Sequence, residues 1–84
     1  MEQFKTGMMA RSKSGHDAGK VYVITKVEEA YVYLVDGKVR TLDKPKKKKK
    51  KHVQLIKESF DIQGATDVDI KRWIKIWNKE DNQN

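Results

Sequence analysis

Cysteine is absent from this chain, which excludes a disulfide framework, a thiolate metal centre and a cysteine nucleophile. Apolar runs are short. None approaches the roughly 18 residues of a membrane-spanning helix, and Met1–Lys5 lacks the apolar stretch of a signal peptide. A soluble cytoplasmic protein is therefore the expectation. Hydrophobic residues make up 37% of 84, enough for one small core and too few for a deep pocket. A chain of this length buries only about 60% of the surface its unfolded form exposes, so its stability is expected to be modest.

Positive charge is plentiful, and it is concentrated. The net charge is +7, and Lys44 with Lys46, Lys47, Lys48, Lys49, Lys50 and Lys51 supplies seven cations in eight residues around the single proline, Pro45. Without them, 12 of the 19 basic residues remain against 12 acidic ones, and the rest of the chain is neutral. A protein that gathers its whole excess charge in one segment offers that segment to a polyanion. A solvated linker that only confers solubility is the other reading of such a block.

Residues 6–43 read as strands. Val21-Tyr22-Val23-Ile24-Thr25-Lys26-Val27 is β-branched and aromatic, with Val21, Val23, Thr25 and Val27 on one face and Tyr22, Ile24 and Lys26 on the other. Ala30–Val35 follows after a polar Glu28-Glu29 turn. Asp36-Gly37 then suits a two-residue type I′ turn into a strand over Lys38–Leu42, which gives a meander. A first strand within Lys5–Lys13 precedes the loop Ser14–Lys20, and His52–Ile56 offers a short fifth strand. Four or five short strands in about 50 residues curl into a small SH3-like barrel rather than a sandwich. The fold class is mainly β.

Beyond residue 57 the period changes. Ile70, Trp73, Ile74 and Trp77 fall at i, i+3, i+4 and i+7, one face of a helix. Thr66 with Asp69 three residues later forms a capping pattern. Asp67 and Asp69 in the first turn and Lys79 near the end suit the helix dipole. Lys71, Arg72, Lys75 and Lys79 gather opposite the tryptophans. The sequence thus divides into a barrel over 1–56 that includes the basic segment 44–51, a linker and amphipathic helix packed on it over 57–80, and a tail over 81–84, with fraying expected from Glu80 onward.

Gly15-His16-Asp17-Ala18-Gly19-Lys20-Val21-Tyr22-Val23-Ile24 resembles the KOW motif, in which a glycine, a basic or polar residue, Asp or Asn, any residue, glycine and Lys or Arg precede a hydrophobic strand. The likeness continues through Val32–Lys48 and covers residues 6 to about 55. It is similar to the small bacterial KOW-type RNA-binding proteins and to KOW-containing large-subunit ribosomal proteins of archaeal and eukaryotic type. Ala18 departs from the charged residue common there, and the helix after Thr66 has no counterpart in the motif. The resemblance implies an SH3-like barrel of KOW type and RNA as partner, ribosomal RNA first among the candidates.

The RNA-binding candidates are Lys13, Gly15, His16, Gly19, Lys20 and Arg40 around the loop, and Lys44, Lys46, Lys47, Lys48, Lys49, Lys50 and Lys51 in the basic run. Gly19 is expected at positive φ, where a plain turn role competes with backbone approach to a phosphate. His16 could pair with Asp17 or stack on a base. Tyr22, Tyr31 and Tyr33 either close a core edge or stack on bases, burial being the stronger expectation. Trp73 and Trp77 either pack on the barrel or meet a protein partner. His52 is the only other histidine, and nothing assembles a catalytic group. The chain reads as a non-catalytic RNA-binding protein without cofactor, metal or small-molecule substrate. A protein-interaction module using a barrel edge or the tryptophan face is the alternative.

Overall fold

The computed structural model describes residues 3–81. The elements are β1 (Met8–Ser12), β2 (Val21–Val27), β3 (Tyr31–Val35), β4 (Lys46–Lys49), a 3₁₀ turn at Lys50–His52, β5 (Val53–Ser59) and α1 (Asp67–Asp81). All strand pairs are antiparallel, and the sheet order is β4-β3-β2-β1-β5. Ala10 of β1, Tyr22 and Ile24 of β2, Val32 and Leu34 of β3 and Val53 of β5 form one buried cluster. Side chains from strands so far apart in the order meet only because the sheet curls on itself. The fold is a small, open, SH3-like barrel carrying a C-terminal helix.

A second cluster lies on the outer side of the same sheet, where Met9, Val21, Val23 and Val35 meet Ile70 of α1. Val21, Tyr22, Val23 and Ile24 are consequently all buried, since β2 faces the barrel interior on one side and the helix on the other. Strict alternation assigns Val27 to the face of Val23. A bulge at Thr25 instead shifts the β2–β3 register between Ile24 and Lys26, so Val27 pairs with Val32 and joins the interior. One extra residue reverses the face that follows it.

The helix forms as its sequence requires. The Asp69 N–H donates to the Thr66 hydroxyl at 3.2 Å, and the Thr66 N–H donates to the Asp69 carboxylate at 3.0 Å, a reciprocal cap. The Thr66 N–H and then its hydroxyl hold the exposed Asp69 carboxyl below its ordinary value. Trp73 stacks on Phe60 with centroids 4.6 Å apart, and the Arg11 guanidinium lies 5.4 Å from the Trp77 ring. Both half-buried tryptophans therefore cover the sheet of their own chain. Among the described residues, no helix is long and apolar enough to cross a membrane.

Three boundaries differ from the sequence reading. β5 runs to Ser59, so the division at 56/57 falls inside a strand, and α1 reaches Asp81, taking in residues assigned to a frayed tail. The rest of that tail, 82–84, lies outside the described residues. Lys38–Leu42 is a loop, not a strand, and Val39 is 78% exposed. A type I′ turn needs positive φ at both central residues, but only Gly37 (φ 78°) has it. The Asp36 carboxylate instead accepts the Lys38 and Arg40 N–H groups, each at 2.9 Å, a local turn of the kind aspartate favours. The Leu42 N–H then donates to the Asp67 carboxylate at 2.8 Å, tying the loop to the start of α1. The partner of β3 is the lysine run.

Gly37 and Gly19 both sit at positive φ, in different surroundings. A Cβ on Gly37 would collide with the backbone carbonyl of Asp67 and lie 2.9 Å from the Lys71 nitrogen, whereas nothing lies within 4 Å of one on Gly19. Urea denaturation should show Gly19→Ala costing about 1–2 kcal/mol, the backbone penalty alone, and Gly37→Ala distinctly more. Trp73→Ala should cost about 3 kcal/mol, the lower end for a half-buried tryptophan, seen as a lower Tm.

Candidate nucleic-acid interface

A strand made of four lysines needs a physical explanation, because lysine is not a favoured strand residue. Pro45, without an N–H, precedes the first paired residue, and β4 is an edge strand, where both proline and lysine are tolerated. Register does the rest. Lys46 lies opposite Leu34 and Lys48 opposite Val32, while Lys47 lies opposite Tyr33 and Lys49 opposite Tyr31. Paired residues share a face, so Lys46 and Lys48 take the side of the barrel interior, and Lys47 and Lys49 take the outside.

The two inward lysines end on Asp17. Lys46 Nζ is 3.1 Å from Asp17 Oδ2, and Lys48 Nζ is 3.2 Å from Oδ1. The Ser12 hydroxyl donates to Oδ1 at 3.0 Å and the Tyr22 hydroxyl to Oδ2 at 3.3 Å. Lys48 Nζ also donates to the Ser14 carbonyl at 3.0 Å. Asp17 is only 6% exposed, yet each carboxylate oxygen has a neutral donor and an ammonium. Burial pushes its pKa up, but hydrogen bonds from Lys46, Lys48 and Ser12 outweigh this and hold the carboxyl far below its usual range. Burial, together with the adjacent Asp17 charge and the hydrogen bond to it, pushes the Tyr22 phenol up to about 12.

The KOW-like loop folds compactly above this cluster. Gly15 and Gly19 take φ of 85° and 89°. The amides that could have cradled a phosphate are occupied: Ala18 N–H donates to the Gly15 carbonyl at 3.2 Å, Gly19 N–H to Ser12 at 2.8 Å and Lys20 N–H to Asp17 at 3.0 Å. What the loop offers to a ligand is its exposed side chains, Lys13, His16 and Lys20. His16 is not among the partners of Asp17. Lys13 is anchored through its backbone, donating to the His52 carbonyl at 2.9 Å, which places the loop beside the end of the lysine run.

The remaining candidates divide by position. Lys44, Lys49 and Lys51 are exposed. Lys47 is half exposed and contacts Glu28 at 3.7 Å, and Lys50 lies over the Phe4 ring at 5.4 Å. Arg40 belongs to the Asp36 loop that packs near the helix. Sequence reasoning missed Asp17 as the organiser of the cluster, and no sequence signal could have divided the lysines, because identical neighbours carry no alternation. Trp73 and Trp77 are half-buried where they pack on the sheet. Among the described residues, no three metal-ligating side chains come together. No family model matches the chain, and no curated protein is similar to it.

A buried carboxylate with a depressed pKa stabilises the fold above the unfolded value of about 3.9, and that contribution disappears as pH falls below it. Thermal melts between about pH 2 and 7 should therefore lose stability steeply below about pH 4. Asp17→Asn should flatten that acid limb and cost about 3–5 kcal/mol near neutrality, since two lysines would be left without their counter-charge.

Proposed function

We propose that this protein is a non-catalytic RNA-binding module of KOW type that docks on structured RNA, with ribosomal RNA the first candidate. The observation that carries this reading is the placement of the excess charge. The basic run is an ordered edge strand and turn, with Lys47, Lys49 and Lys51 held toward solvent and the exposed Lys13, His16 and Lys20 on the neighbouring loop. Alternate residues on a strand stand about 6.7 Å apart, a spacing comparable to that of successive phosphates. An ordered row of cations meets a phosphate backbone with less loss of chain entropy than a floppy tail.

Charge of this kind supplies affinity and little sequence information, because an ammonium is a point charge that any phosphate satisfies. Lys46 and Lys48 contribute through the fold, since both ammonium groups are held on the Asp17 carboxylate. Five lysines of the run remain for phosphate: Lys44, Lys47, Lys49, Lys50 and Lys51. RNA shape and the loop side chains supply what selectivity there is.

Fluorescence anisotropy with a labelled RNA hairpin at several salt concentrations tests this. Five released counterions give a slope of log K against log salt of about −3.5 to −4.5. Replacing Lys44, Lys47, Lys49 and Lys51 with glutamine should weaken binding by orders of magnitude while Tm is kept. Glutamine at Lys46 and Lys48 should instead lower Tm. A wild-type protein that ignores the hairpin at low salt, or binds with no salt dependence, would remove the reading.

A further inference from the structure

Tyr31 and Tyr33 stand two residues apart on the outer face of β3, half-buried, and share that face with Lys49 and Lys47 across the β3–β4 register. Neither ring belongs to either hydrophobic cluster, in contrast to Tyr22. Ammonium groups meet them instead. Lys47 Nζ lies 4.5 Å from the Tyr31 centroid and 5.9 Å from that of Tyr33, and Lys26 Nζ lies 5.2 Å from Tyr33. Glu28 closes the group, accepting from the Tyr33 hydroxyl at 3.3 Å and contacting Lys26 and Lys47, both at 3.7 Å.

Two aromatic rings that fill no core, bordered by cations, have the makings of a surface for unpaired nucleotides. Every base has a flat π-face that stacks on an aromatic ring, and lysines beside the rings can follow the backbone between bases. A duplex keeps its base faces within its own stack and can use only the lysines. Among the described residues, Glu28 is the one carboxylate contacting both Lys26 and Lys47, and its side chain is 36% exposed, so an incoming phosphate can displace it.

We infer that Tyr31 and Tyr33 form a stacking platform for unpaired RNA bases, with Lys26, Lys47 and Lys49 on the flanking phosphates. This rests on the RNA-binding reading above and specifies its ligand: a loop, bulge or single-stranded end rather than a regular helix.

The test compares the full chain on a labelled uridine oligomer of about ten nucleotides, within the usual site size of single-strand binders, and on an RNA duplex of equal phosphate number. Tyr31→Ala and Tyr33→Ala should each weaken oligomer binding about tenfold and leave the duplex within about twofold. Tyr→Phe at both positions should retain oligomer binding, and Glu28→Gln should tighten it. Should the alanine variants not fold by circular dichroism, 2-aminopurine placed in the oligomer decides, since stacking on the wild-type or Phe-substituted platform quenches or shifts its emission. An alanine effect of equal size on both RNAs, no effect on either, or bound 2-aminopurine with unchanged emission overturns the inference. Wild-type protein that binds duplex but not oligomer sinks the platform alone. Protein that binds neither sinks the RNA-binding reading with it.

Discussion

A single buried carboxylate divides the charge of this molecule in two. Asp17 sits where the loop after β1 closes over one end of the barrel interior, and burying an ion there is costly unless donors surround it. Ser12 and Tyr22 come from the strands beside the loop, but the compensating cations come from β4, about thirty residues further along. The loop and β4 support each other here: the two ammonium groups offset the burial of Asp17, and Asp17 offsets the inward turn of Lys46 and Lys48. What composition presents as one block of positive charge is an inner pair that builds the fold and an outer set left for a ligand.

The second dependence is between helix and sheet. A chain this small gains little from one core, and here the sheet is used on both sides. β2 is buried on its two faces because the barrel interior takes Tyr22 and Ile24 while α1 covers Val21 and Val23. The helix is held at its start by Asp67 on the Leu42 amide and by close approach to Gly37, and along its length by Trp73 on Phe60. It completes the second core of the domain, with Trp73 and Trp77 packed against it.

The features legible in the sequence were those with a local cause. The cap at Thr66 and Asp69, the 3.6-residue spacing of Ile70, Trp73, Ile74 and Trp77, the β-branched run of β2 and the positive φ at Gly19 all follow from neighbours in the chain. The features that were not legible depend on distant partners. Asp36-Gly37 signalled a tight hairpin, yet the Asp36 carboxylate folded its own loop and Asp67 captured the Leu42 amide. Val27 changed face because of a bulge that no pattern of seven residues reveals. Asp17 looked like a companion for His16 and instead turned to Lys46 and Lys48, a choice set by tertiary contact alone. Backbone approach to a ligand at Gly19 was the lesser expectation beside a plain turn role, and three amides of the loop complete its own turns.

Strand registry is ordinarily enforced by which side chains find the core, since a shift of one residue sends every apolar group to the wrong side. That safeguard is missing in β4. Lys46–Lys51 are six identical residues, so sliding 47–50 or 48–51 into the place of β4 returns a lysine to every position, including the two that face Asp17. Alignment therefore depends on the ends of the run: Pro45, with no amide to donate, on one side, and on the other the Lys50 amide on the Ala30 carbonyl at 2.9 Å and the buried Val53. A tract longer or shorter by one residue would still offer lysines to the two inward positions, while the three-residue turn at Lys50–His52 would have to take up the change.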